Sequence, residues 1–193
     1  EGDLKDEVLV LHKIAVQLRE KRFEAGAFSF EKTEVKFELD QEGKPLGIKF
    51  REMGTANQMI EEFMLLANRK VAEYIGKQVR GNTFVYRVHD RPDPEKISNF
   101  SHFITRFGYK LSSGPKGPLP KAMNKLMTAI AGKKEQNIIE NLALRSMAKA
   151  VYSTDNIGHY GLAFRYYTHF TSPIRRYPDM MVHRLLSLYL NNE

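Results

Sequence analysis

The sequence contains no cysteine, so disulfides and thiolate–metal sites are excluded and a cytoplasmic setting is the default expectation. No apolar run approaches the roughly 20 residues needed to cross a bilayer, and a mean hydropathy of −0.45 is not a membrane composition. The opening EGDLKDE is acidic and lacks the basic start of a secretory signal. No methionine stands at position 1, which suggests a piece of a longer protein or a processed one. Internal repeats and low-complexity tracts are absent. So are an HExxH pair, a Walker-type glycine loop and a GxSxG elbow, which leaves the chemistries those motifs serve without an anchor.

What is present is a chain of 193 residues, 42% of them hydrophobic, enough for one or two globular cores. Its net charge of +7 is unevenly spread. Residues 1–79 carry 13 Lys/Arg against 15 Asp/Glu, or −2, and residues 135–193 carry 6 against 5, or +1. Residues 80–134 carry 11 against 3, or +8, which fits either a solvated basic surface or a polyanionic partner.

Residues 4–24 place Leu4, Val8, Leu11, Ala15, Leu18 and Phe23 close to helical spacing. Phe28 and Phe30 follow in a short strand-like run, either as core residues or with one ring left for a ligand. Val35, Phe37 and Leu39 then alternate with charged residues, as do Ile48 and Phe50 beyond the turn at 41–45, which predicts a β-hairpin. Thr55 and Gln58 match a capping box, and a helix is expected to about Ile75, closed by Gly76. Its predicted buried stripe is Met59, Ile60, Phe63, Met64, Ala67, Val71 and Tyr74. Asn57, Glu61 and Asn68 form a polar line within about 40° on another face, either a wet surface or a ligand contact. A strand at 83–88, helices at 95–107, 121–132 and 136–149, and a strand at 150–152 complete the order. This pattern predicts an α+β domain.

The stretch 159–186, HYGLAFRYYTHFTSPIRRYPDMMVHRLL, holds three histidines, four arginines, four tyrosines and two prolines. Ser172-Pro173 reads as a helix start, with Ser172 as N-cap and Arg175 and Arg176 in a first turn that attracts anions. Adjacent arginines point about 100° apart on a helix, so one can face a ligand while the other pairs with Asp179 at i+3 or packs structurally. Pro178 inside the helix predicts a kink or a 3₁₀ first turn. His159, His169 and His183 match no metal-ligand spacing.

This stretch resembles the C-terminal signature of the RNB catalytic domain of the ribonuclease II and ribonuclease R family of 3′-to-5′ exoribonucleases. RFEAGAFSF, ANQMIEEFMLLANRKVAEYI, VYRVHDRPDPEKI and ALRSMAKAVYSTDNIGHYGLA resemble successive RNB blocks in order, and THFTSPIRRYPD is closer to ribonuclease R. The resemblance implies a partial RNB domain over residues 1–193, its C-terminal portion, an α+β fold with a mixed or antiparallel sheet packed with several helices, without a cold-shock or S1 domain. It implies an exoribonuclease II-type activity that hydrolyses RNA processively to nucleoside 5′-monophosphates by a Mg²⁺-dependent two-metal mechanism. Arg175 matches the family's catalytic arginine at the scissile phosphate. Phe30 matches the aromatic that stacks on 3′-terminal bases, and Glu61 a carboxylate that touches the RNA. His169, Thr171, Ser172 and Arg176 of the same motif are expected to shape the phosphate pocket. The aspartate cluster that holds the metal in the family is absent from this sequence, as is the second stacking aromatic. No metal site is therefore expected in this chain, and the isolated chain is expected to be inactive. The implied partner is a single-stranded RNA 3′ end, with self-association through apolar surface that the missing half would cover. The alternative is a non-catalytic RNA-binding RNB homologue.

Overall fold

The computed structural model describes residues 2–28, 34–51, 54–78, 83–111 and 119–191. Among the described residues six helices and two small antiparallel sheets make an α+β architecture. Helix α1 (Lys5–Glu24) is followed by β1 (Glu34–Leu39) and β2 (Pro45–Arg51), which pair as the hairpin that the alternation predicts, Phe37 opposite Ile48. Helix α2 (Thr55–Gln78), β3 (Tyr86–Val88), α3 (Pro94–Thr105), α4 (Leu119–Ile130) and α5 (Gln136–Ser146) come next. Strand β4 (Val151–Ser153) pairs with β3, a 3₁₀ turn spans Tyr160–Leu162, and α6 (Tyr177–Leu190) closes the chain.

Two apolar clusters hold the fold. Phe28 joins Phe100, Ile104, Met123, Leu126, Ile130, Ile139, Ala143 and Met147 from α3, α4 and α5 and the residue after α5. Phe28 is thus a core residue; Phe30 lies outside the described residues. The second cluster packs Ala72 and Ile75 of α2 against Phe84, Tyr86 and Val88 around β3 and Val182 of α6. The functional stretch sits on this second cluster.

Helix α2 departs from its predicted register. Its buried residues are Glu62, Leu65, Asn68, Ala72 and Ile75, while Ile60 is 54% exposed. Several of its faces carry apolar residues, so burial was decided by polar partners. Glu62 is 3% exposed and takes the guanidinium of the equally buried Arg22 of α1, with Arg22 Nε donating to Oε2 at 3.3 Å and Nη2 to Oε1. An unpaired charge there would be costly, so the pair fixes how α1 and α2 meet. Asn68 of the supposed polar line is likewise buried, whereas Asn57 is exposed.

Gly76 does not end α2, which runs on to Gln78. The ring of Tyr166 lies against it instead: a Cβ at position 76 would stand 2.6 Å from Tyr166 Cδ1. Glycine is required there for close approach rather than as a cap. Helix α1 leaves Leu4, Val8, Leu9, Val10, Leu11 and Ile14 exposed over its first turns, and only Ala15 of its predicted stripe is buried.

Candidate active site

The site is built on an extended segment, residues 167–171, laid along β3. Arg87 N donates to Tyr167 O at 2.9 Å, and the Thr168 hydroxyl, fully buried, donates to Val85 O at 2.6 Å. On the opposite flank Asn68 receives it. Its Oδ1 accepts from Phe170 N at 2.9 Å and Thr171 N at 3.2 Å, and its Nδ2 donates to the Tyr167 hydroxyl at 3.1 Å. From α6, His183 Nε2 donates to Phe170 O at 2.8 Å, and its ring stacks on Phe170 at 4.1 Å. Tyr167 O, Phe170 N, Phe170 O and Thr171 N thus all find partners, as burial requires.

The chain then turns. Residues 172–176 do not start the helix: Arg175 N and Arg176 N both donate to Ser172 O, at 3.4 and 3.1 Å, and α6 begins at Tyr177. Pro178 consequently falls in the first helical turn, where its missing N–H costs nothing, and the expected kink does not arise. Asp179 explains the delayed start. Its side chain is fully buried, and Oδ1 accepts from Ser172 N at 2.8 Å and from Arg176 Nη2 at 2.9 Å. A carboxylate therefore occupies the position at the helix N-terminus where an external anion was expected.

This division separates the two arginines. Arg176 is spent on Asp179, with a side chain 28% exposed. Arg175 is exposed, and among the described residues its guanidinium has no carboxylate or hydrogen-bond partner. Ile174 and Tyr177 beside it are also exposed, so the turn projects into solvent. A guanidinium presented this way offers a planar fork of donors to a phosphate. Three buried polar atoms around it lack partners: Thr171 Oγ1, Arg176 Nε and Asp179 Oδ2.

Electrostatics keep the neighbouring histidines neutral. His169 Nδ1 and the Tyr152 hydroxyl share a hydrogen bond of 2.7 Å. Burial, with Arg176 adding repulsion, depresses its pKa to about 4. Arg87 lies over the Tyr152 ring at 4.6 Å, so a cation backs this pair. His159 is pushed down to about 3 by burial and by the adjacent His89. His89 accepts from Gly161 N at Nδ1, which leaves the proton on Nε2 to donate to Ala148 O, both at 2.9 Å. His159 also borders an open cleft of about 570 Å³ that carries Arg91 and Arg165. Burial pushes the Tyr167 phenol up, with Asp179 and Glu61 contributing in the same direction. Glu61 is half-buried on α2.

His169, Thr171, Ser172, Arg175 and Arg176 lie together on the extended segment and its turn, Glu61 stands on α2, and Phe30 lies outside the described residues. Sequence reasoning missed the clamping role of Asn68 and the Tyr152 and Tyr167 hydroxyls. Only the i, i+3 spacing of Arg176 and Asp179 signalled a partner in advance. Among the described residues no three His, Cys, Asp or Glu side chains gather where a metal could bind.

The fold is an α+β domain that enters its last helix through an arginine turn anchored on a buried aspartate. The family model of the RNB domain matches residues 1–192, and the chain belongs to that family. Ribonuclease R of Thermotoga maritima is 44% identical over 187 residues, 96% of this chain and 26% of that protein. DIS3-like exonuclease 2 of Schizosaccharomyces pombe is 40% identical over 197 residues, 98% of this chain and 21% of the relative. Among solved structures, Mycoplasma genitalium RNase R in complex with ribose methylated single-stranded RNA superposes with a TM-score of 0.87 at 27% identity, covering 96% of this chain and 29% of the other. The chain spans about a quarter of the length of the curated relatives it matches.

Proposed function

We propose that this chain is the C-terminal portion of the catalytic domain of a 3′-to-5′ exoribonuclease of the ribonuclease R type, and that Arg175 binds the scissile phosphate of a single-stranded RNA 3′ end. The observation that carries this reading is the division of labour in the turn: Asp179 neutralises Arg176 and leaves Arg175 exposed and, among the described residues, unpaired. In this role Arg175 neutralises charge that develops on the phosphate, an interaction strengthened in the transition state. Glu61, His169, Thr171 and Ser172 line the pocket, and Phe30 stacks on the terminal bases. The neutral state of His169 suits a hydrogen-bonding wall rather than a second cation.

Magnesium dependence belongs to the same proposal, with its carboxylate ligands outside this chain. The residues here account for binding the phosphate, not for activating the water. The isolated chain is accordingly expected not to hydrolyse RNA, and robust Mg²⁺-dependent release of mononucleotides by it would overturn that. A cytoplasmic location fits the absence of cysteine, and among the described residues no helix is long and apolar enough to cross a membrane. The exposed apolar residues at the start of α1 are the proposed surface for self-association of the chain.

The test is Arg175→Ala beside Arg176→Ala in the longer protein. Arg175→Ala should cut turnover far more than RNA affinity, and equal losses in both would place Arg175 in ground-state binding.

A further inference from the structure

Three consecutive backbone N–H groups, at Phe170, Thr171 and Ser172, are accepted by side-chain oxygens rather than by a strand. The Asn68 carboxamide takes the first two and the Asp179 carboxylate the third. In a strand, successive N–H groups point to opposite edges. Two neighbouring N–H groups converging on one oxygen therefore mark a bend, and this bend redirects the chain from β3 into the 172–176 turn. The flank facing α2 offers no backbone acceptor, because the interior carbonyls of a helix are already used. A side-chain acceptor is needed, and Asn68, 3% exposed, supplies it.

The orientation of the carboxamide follows from its partners. Two N–H donors require the oxygen on their side, so Nδ2 faces the Tyr167 phenol, which accepts. The same side chain thus grips the segment at three of its residues, 167, 170 and 171. Nothing on α2 one turn away can substitute, since Leu65 and Ala72 have no polar side-chain atoms.

We propose that Asn68 is a positioning residue: by holding the bend at Phe170 and Thr171 it sets the pose in which the 172–176 turn presents Arg175 to the RNA phosphate. This rests on the exoribonuclease reading for its consequence, but the bend itself is testable without it. Misplacing a phosphate-binding group by about 1 Å costs on the order of 100-fold in rate, so the effect belongs in turnover.

The test compares Asn68→Ala, Asn68→Asp and wild type. Aspartate keeps an acceptor for both N–H groups, and the Tyr167 hydroxyl can reverse to donate to it; alanine keeps neither bond. In the folded chain, amide hydrogen exchange should accelerate in Asn68→Ala at Phe170, Thr171, Arg175 and Arg176, with α2 and α3 as protected as in wild type. Asn68→Asp should restore protection. In the longer protein at neutral pH, Asn68→Ala should lower kcat by on the order of 10- to 100-fold with RNA affinity nearly unchanged, and Asn68→Asp should recover most of it. Exchange that rises uniformly through α2 and α6, or equal behaviour of the two variants, would overturn the proposal. So would wild-type turnover in Asn68→Ala. A wild-type protein that does not hydrolyse RNA would sink the exoribonuclease reading instead, and the exchange pattern would then decide the role of Asn68 alone.

Discussion

Replacing Asp179 probes the joint on which the arginine turn rests. Its carboxylate is fully buried and accepts two charge-assisted bonds, from Ser172 N at 2.8 Å and Arg176 Nη2 at 2.9 Å. Asp179→Ala strands a backbone donor and a guanidinium. Removing one partner of a buried pair costs about 3–5 kcal/mol, and the 28% exposure of Arg176 puts this case at the lower end, about 3 kcal/mol. Asp179→Asn keeps an acceptor for Ser172 N but loses the charge, for a cost of about 1–2 kcal/mol. A chain of this size shifts its Tm by roughly 2–4 °C per kcal/mol, so thermal melts should fall by about 6–12 °C for alanine and about 2–8 °C for asparagine. A double-mutant cycle isolates the pair: Arg176→Met should cost much less in the Asp179→Ala background, with a coupling of about 1–3 kcal/mol. An Asp179→Ala melt within about 2 °C of wild type, or strict additivity in the cycle, would refute the joint.

Other outcomes follow from the same packing. Gly76→Ala adds a good helix former, worth about 1 kcal/mol, but drives a methyl into the Tyr166 ring at a cost of about 1–3 kcal/mol. The net result in urea unfolding should be destabilisation, and a raised midpoint would mean that the ring does not bear on the helix. His169 and His159 carry folded pKa values of about 4 and about 3, both below the ordinary histidine value of 6.5. Below pH 6.5 the unfolded chain gains protons that the folded chain refuses. The stability these residues contribute is therefore complete above pH 6.5 and is lost progressively as pH falls toward 4 and then 3; a melting temperature flat from pH 7 to pH 4 would contradict this. Light scattering should show the isolated chain associating, and Leu9→Lys or Leu11→Lys among the exposed apolar residues at the start of α1 should shift it toward monomer.

The hairpin was legible because Val35, Phe37 and Leu39 against Ile48 and Phe50 have the period of a strand, and the turn at 41–45 has no competing reading. The register of α2 was not. Apolar residues occur on several of its faces, and the choice depends on Arg22 and on the segment around Phe170, partners far away in the chain. The start of α6 was misread because Ser172-Pro173 is both a helix-start and a turn signature. The deciding group was Asp179, which captures Ser172 N from inside the helix. The i, i+3 spacing of Arg176 and Asp179 did show that a carboxylate was within reach of one of the two arginines. Asn68 gave no such sign, since its three partners lie about a hundred residues later.

The most direct measurement is stepwise 3′-end degradation of a single-stranded RNA by the longer protein, with turnover and RNA affinity determined separately for wild type, Arg175→Ala and Arg176→Ala. The predicted result is mononucleotide release by wild type, turnover in Arg175→Ala reduced by on the order of 100-fold or more with affinity nearly retained, and a loss of stability in Arg176→Ala. Undiminished turnover in Arg175→Ala, or no 3′-to-5′ release by wild type, would contradict the assignment of Arg175 to the scissile phosphate.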